Sequence, residues 1–245
     1  MKKFLLVCLM CVLLFSTASF AAQSTSLTGL TGLIRMPSAD VLKARDWNAG
    51  VDYIFDNTSA TAITNGADLR GSWSYKANFG ADMGYKNGLE LGFVGRTEKV
   101  TNRFKEGVFI NLKYALASSD DRDALHMAIG VENLTSSSES DAFMVASKYF
   151  DSGLGLHFGA MFDFPISGKF SPLGMLGINF PVGMKNLVLM AEAFAGESIF
   201  QVNAGVKYDF ARSFSLNVRA LNVTNSPTSK DTQTFSAGFC MTSPF

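Results

Sequence analysis

Phe200-Gln201-Val202-Asn203-Ala204-Gly205-Val206-Lys207-Tyr208-Asp209-Phe210 is the stretch on which the fold of this 245-residue chain turns. Side chains of a β-strand point alternately to its two faces, so a period of two sorts these residues into two sets. Phe200, Val202, Ala204, Val206, Tyr208 and Phe210 share one face, and Gln201, Asn203, Gly205, Lys207 and Asp209 share the other. A helix would scatter both sets around its axis. The stretch from Leu154 to Phe164 repeats the pattern, with Leu154, Leu156, Phe158, Ala160, Phe162 and Phe164 opposite Gly155, His157, Gly159, Met161 and Asp163.

Working outward, the same alternation predicts twelve strands, at about 47–56, 67–84, 89–98, 107–117, 125–135, 142–150, 154–164, 173–182, 187–196, 200–210, 213–223 and 232–245. The breaks at Lys86-Asn87-Gly88, Ser119–Asp123, Asp151-Ser152-Gly153, Gly183–Asn186 and Ala211-Arg212 are tight or charged turns. Those at Asn57–Gly66, Val100–Glu106, Ser136–Ser140 and Asn225–Asp231 are mostly polar and longer. An even strand number with short turns at one end and longer loops at the other is the wiring of a single-chain transmembrane barrel. A soluble β-sandwich also alternates. It would, however, hide the greasy face and leave the charges in water. Here nearly every strand carries large apolar residues on one face and charges on the other. Only a closed barrel leaves no unpaired backbone in hydrocarbon.

The expected fold class is therefore all-β, a transmembrane antiparallel up-and-down barrel of about twelve strands with a short N-terminal plug-like segment. Its candidate lumen-lining residues are Asp52, Arg70, Lys76, Glu90, Arg96, Lys113, His126, Glu132, Lys148, His157, Asp163, Glu192, Lys207 and Arg219. Tyr85, Tyr149 and Tyr208 lie beside short turns, where an interfacial aromatic girdle belongs.

Residues 1–21 read as a secretory signal peptide. Lys2 and Lys3 precede an apolar run from Phe4 to Phe15, and Ser19-Phe20-Ala21 places small residues at the cleavage positions. Beyond it no apolar run approaches the roughly 20 residues of a spanning helix. The chain carries 21 basic and 21 acidic residues, which gives no reason to expect a nucleic-acid partner. Of its three cysteines only Cys240 lies outside that leader, so neither a disulfide framework nor a cysteine zinc site is expected. The last strand puts Phe235, Ala237, Phe239 and Met241 on the lipid face and stops at Phe245, which resembles the C-terminal signal read by the barrel assembly machinery. The expected partners are outer-membrane lipid, that machinery, and a saccharide or other polar solute, in the outer membrane of a bacterial cell.

Residues 22–46 do not alternate. Leu30, Leu33, Ile34 and Met36 are too apolar for a free tail, which predicts an ordered segment in the lumen or beneath its mouth. Ser38 is the N-cap of an expected short helix with Val41 and Leu42 on its buried side. The run Gly32-Leu33-Ile34-Arg35-Met36-Pro37-Ser38-Ala39, with the polar stretch ending at Gly50, resembles the start of the YjbH-like outer-membrane proteins. The resemblance implies a β-barrel linked to exopolysaccharide production or export. The domain reading is thus a leader (1–21), a periplasmic or plug segment (22–46) and the barrel (47–245).

Motifs for chemistry are few. There is no Gly-x-Ser-x-Gly, His-Glu-x-x-His or Gly-x-x-x-x-Gly-Lys, and no cofactor is expected. The two histidines, His126 and His157, are read as lumen residues that could join Glu132, Asp163 and lumen serines in a hydrolase site, but ordinary polar lining is the favoured role and no enzyme is expected. Glycines such as Gly80 and Gly84 read as strand kinks. The functional expectation is a polar-lined, porin-like conduit, or alternatively a filled barrel acting in structure or interaction.

Overall fold

The computed structural model describes residues 25–55, 71–82, 88–97, 104–117, 124–136, 139–165, 170–183, 186–197, 199–211, 213–224 and 233–243. The expected leader, Arg70, Tyr85 and Phe245 lie outside them. Twelve strands follow one another in the described chain. They are β1 (Trp47–Phe55), β2 (Gly71–Asp82), β3 (Gly88–Thr97), β4 (Phe104–Ala117), β5 (Leu125–Glu132), β6 (Glu139–Tyr149), β7 (Gly155–Pro165), β8 (Ser171–Pro181), β9 (Leu187–Gly196), β10 (Phe200–Ala211), β11 (Phe214–Leu221) and β12 (Thr234–Ser243). Each pairs antiparallel with its sequence neighbours, and β1 pairs with β12 from Trp47↔Ser243 to Phe55↔Phe235, which closes the barrel.

The outside is apolar. Leu176 is 63% exposed, Val218 57% and Phe164 50%, whereas Asp52, Glu90, Lys113, Glu192 and Arg219 inside are at most 2% exposed. A water-soluble fold arranges these the other way round. Lipid on the outside satisfies the first set, and the closed hydrogen-bond ladder leaves no backbone edge for hydrocarbon to meet. The barrel is a transmembrane one.

Residues 25–42 run inside it, and the exposed Lys43–Arg45 lead on towards β1. Leu27, Leu30, Leu33, Ile34, Met36, Ala39 and Leu42 are all at most 3% exposed. Most of them form one apolar core with wall residues Ala128, Phe143, Val145, Met161, Leu173, Met175, Val188, Met190, Phe194 and Leu221. The segment holds its own shape through two isolated bridges, Thr25↔Thr31 and Gly32↔Pro37.

The short helix expected after Ser38 does not form. Its backbone donors go to the wall instead of to the preceding turn. The Ala39 N–H bonds Ser147 Oγ at 2.9 Å and the Leu42 N–H bonds Glu90 Oε2 at 3.3 Å. Several wall glycines are likewise sockets rather than kinks. A Cβ at Gly177 would lie 2.3 Å from Leu33 Cδ1, and one at Gly80 would lie 2.1 Å from the Lys43 carbonyl oxygen.

Candidate functional site

Three clusters of lumen charge grip the segment. In the first, Lys76 Nζ lies 2.7 Å from Asp52 Oδ2, and Arg219 bonds the other oxygen of the same carboxylate. Both cations also donate to the segment's carbonyls. Lys76 reaches Thr25 and Ser26 at 3.1 Å each, and Arg219 reaches Thr25 at 3.2 Å. Cys240 Sγ sits 3.0 Å from Thr25 Oγ1 beside them.

In the second, Lys113 Nζ is 3.2 Å from Glu90 Oε2 and donates to the Thr31 carbonyl at 2.9 Å. Glu90 accepts from the Thr31 N–H at 2.6 Å and from Asn78 Nδ2 at 2.7 Å. In the third, the Glu192 carboxylate accepts three consecutive segment N–H groups: Ile34 at 3.0 Å, Arg35 at 2.8 Å and Met36 at 3.0 Å. Asn203 Nδ2 completes the set at 2.7 Å. Buried charge is tolerated only with such partners, and here the partners are largely segment backbone.

A fourth cluster lies at the mouth that carries the short turns. Tyr149 donates its hydroxyl to Asp40 of the segment, and His126 Nδ1 is 4.0 Å from the same carboxylate. Beside them Ser147 Oγ is 2.8 Å from His157 Nδ1, and His157 Nε2 is 2.6 Å from Asn179 Oδ1. The turn joining β6 to β7, closed by Gly153 N–H to the Phe150 carbonyl at 2.8 Å with Gly153 at φ 81°, fixes the register that pairs Ser147 with His157. At the opposite, loop-side mouth a cavity of about 250 Å³ is floored by Leu27, Thr28 and Arg35 and walled by Arg96, Glu132 and Asp141.

Most of the expected lumen residues do face inward: Asp52, Lys76, Glu90, Arg96, Lys113, His126, Glu132, His157, Asp163, Glu192, Lys207 and Arg219 all lie on the interior face or line the interior cavity. Lys207 pairs with Asp209 at 3.2 Å.

Lys148 is a correction. The pleat of β6 turns Asp141, Phe143, Val145 and Ser147 inward, so Lys148 faces out opposite Leu156, with Nζ 5.9 Å from the Phe150 ring centroid. By the same frame Tyr149 points into the lumen and is not part of an outer girdle, whereas Tyr208 does face out, at 44% exposed.

The grouping of the histidines with Glu132 and Asp163 is also corrected. Those carboxylates stand at the loop-side end of their strands, and His157 instead meets Ser147 and Asn179. Sequence reasoning missed Ser147, Asn179, Asn78 and Asn203, because an uncharged polar residue on a half-apolar strand gives little signal.

No protein-family model matches the chain, and no curated protein does. Among solved structures it is similar to the outer membrane phospholipase A from Escherichia coli, at 11% identity and a TM-score of 0.47, with 92% of this chain and 98% of that one covered. The expectation that the chain is not an enzyme is corrected on this finding. A barrel fold by itself excludes no chemistry.

Proposed function

We propose that the chain is an outer-membrane β-barrel protein of a bacterial cell whose conduit is shut in the folded state by residues 25–46, and opens to a polar solute only when that segment is displaced. The observation that carries the reading is the Glu192 carboxylate bound by three successive segment N–H groups. A bond set of this kind holds the segment across the lumen in one position. The loop-side cavity, with Arg35, Arg96, Glu132 and Asp141 around it, offers an approaching polar or saccharide molecule both donors and acceptors. The exopolysaccharide link implied by the stretch Gly32 to Gly50 belongs to this proposal. So does insertion through the barrel assembly machinery by way of the last strand.

Planar-bilayer conductance tests it. The chain from residue 22 is expected to be silent, Glu192→Gln to flicker open, and a chain lacking residues 25–46 to conduct steadily. Steady conductance by the intact chain would overturn closure. A seal that persists without the segment would overturn the conduit and leave a filled barrel acting in structure or interaction.

A further inference from the structure

From the turn-side cluster we infer that Ser147, His157 and Asn179 form a latent esterase site, facing the lumen and locked by the N-terminal segment. Three observations meet there. Ser147 Oγ lies 2.8 Å from His157 Nδ1, within reach for proton transfer. His157 Nε2 lies 2.6 Å from Asn179 Oδ1, and an amide oxygen there accepts only if Nε2 carries the proton. In that tautomer Nδ1 is the lone-pair nitrogen facing the serine. Nucleophile, base and base-orienting group thus stand in hydrogen-bonded order, the arrangement by which a serine nucleophile is recognised whatever the fold. Gly155 keeps the clearance. A Cβ there would lie 2.3 Å from Asn179 Oδ1 and 3.0 Å from His157 Nε2.

The lock is the segment itself. The Ala39 N–H bonds Ser147 Oγ at 2.9 Å, occupying a lone pair the nucleophile needs, and Ser147 and His157 are at most 1% exposed. Asp40 is held next door by Tyr149. Asn179, partly exposed, marks the side from which water and substrate arrive. Because the cluster faces the lumen and not the lipid, its substrate class is the carboxylic ester of a water-soluble molecule.

The chemistry closes with water alone. Oγ attacks the ester carbonyl carbon while its proton passes to His157 Nδ1. The carbon–oxygen bond to the alcohol breaks, and the alcohol leaves with that proton. Water then attacks the acyl-serine, gives a proton to Nδ1, and releases the acid as Oγ regains its proton. Ester and water become acid and alcohol.

The inference shares with the proposed function only the displaceable segment, and its test reads covalent labelling, which does not depend on conduction. The folded chain and its Glu192→Gln variant, each checked by heat-modifiable gel migration, are incubated with a fluorophosphonate, whose fluoride a competent serine displaces. Labelling mapped to Ser147 is expected, several-fold faster in Glu192→Gln and absent in Ser147→Ala. His157→Gln should lower it about a hundredfold, and Asn179→Ala by a smaller factor. No labelling in either folded protein, or labelling that persists undiminished in His157→Gln, overturns the site and leaves a polar contact that merely holds Ala39.

Discussion

The two halves of the lumen wall hold the same segment by opposite physics. On β1–β4 and β10–β12 the inward residues are mostly polar or charged, among them Asp52, Lys76, Asn78, Glu90, Asn111, Lys113, Asn203 and Arg219, and they bind segment backbone or one another. On β6–β9 most inward residues are apolar, among them Phe143, Val145, Met161, Leu173, Met175, Val188, Met190 and Phe194, which pack against the segment's leucines; Glu192 and Ser147 are directional grips on this side. Burial on the second wall is non-directional and tolerates small shifts. The first wall is directional and punishes the loss of any one partner, because it leaves a buried charge without its counter-ion. The difference teaches that the lumen charges are there to seat a chain segment more than to line a water path.

The largest effect should come from breaking the charged wall. Lys113→Ala removes the cation between Glu90 and Thr31 and is expected to cost about 3–5 kcal/mol, read as a lower urea midpoint of the folded gel band. A loss near zero would mean that water already reaches Glu90. On the apolar wall, Gly177→Ala forces a Cβ against Leu33 Cδ1 and Met36 Sδ, at 2.3 and 3.0 Å before relaxation. It should cost about 1–3 kcal/mol, and a neutral result in the same titration would show that the segment is not seated there. Lys148→Ala, on the outer face, should stay within about 0.5 kcal/mol. A cost matching that of Lys113→Ala would return Lys148 to the lumen.

The contrast between the walls also explains what the sequence reveals. On β10, polar and apolar residues alternate without a fault, so face and register can be read directly from Phe200 to Phe210. On β6, both faces are apolar because the inner one packs on the segment, and Lys148, the one cation of that strand, misleads the frame. The short helix fails for a related reason. Helical spacing and capping describe a chain that satisfies its own backbone, whereas Ala39 and Leu42 spend their N–H groups on Ser147 and Glu90, far away in sequence. The socket role of Gly177 and Gly80 is equally silent in one dimension, since it depends on what lies opposite. Ser147 and Asn179 become a pair of interest only through His157, which the register of β6 on β7 and β7 on β8 brings between them.

Cys240 offers the most direct test of a lumen filled by residues 25–42. It is buried at 1% exposure beside Thr25 and is the sole cysteine beyond position 11. In the folded barrel from residue 22, a water-soluble charged maleimide should leave Cys240 unmodified, and the folded chain lacking residues 25–46 should react quickly. Equal, rapid modification of both would contradict the account, because it would place water where the segment is said to sit.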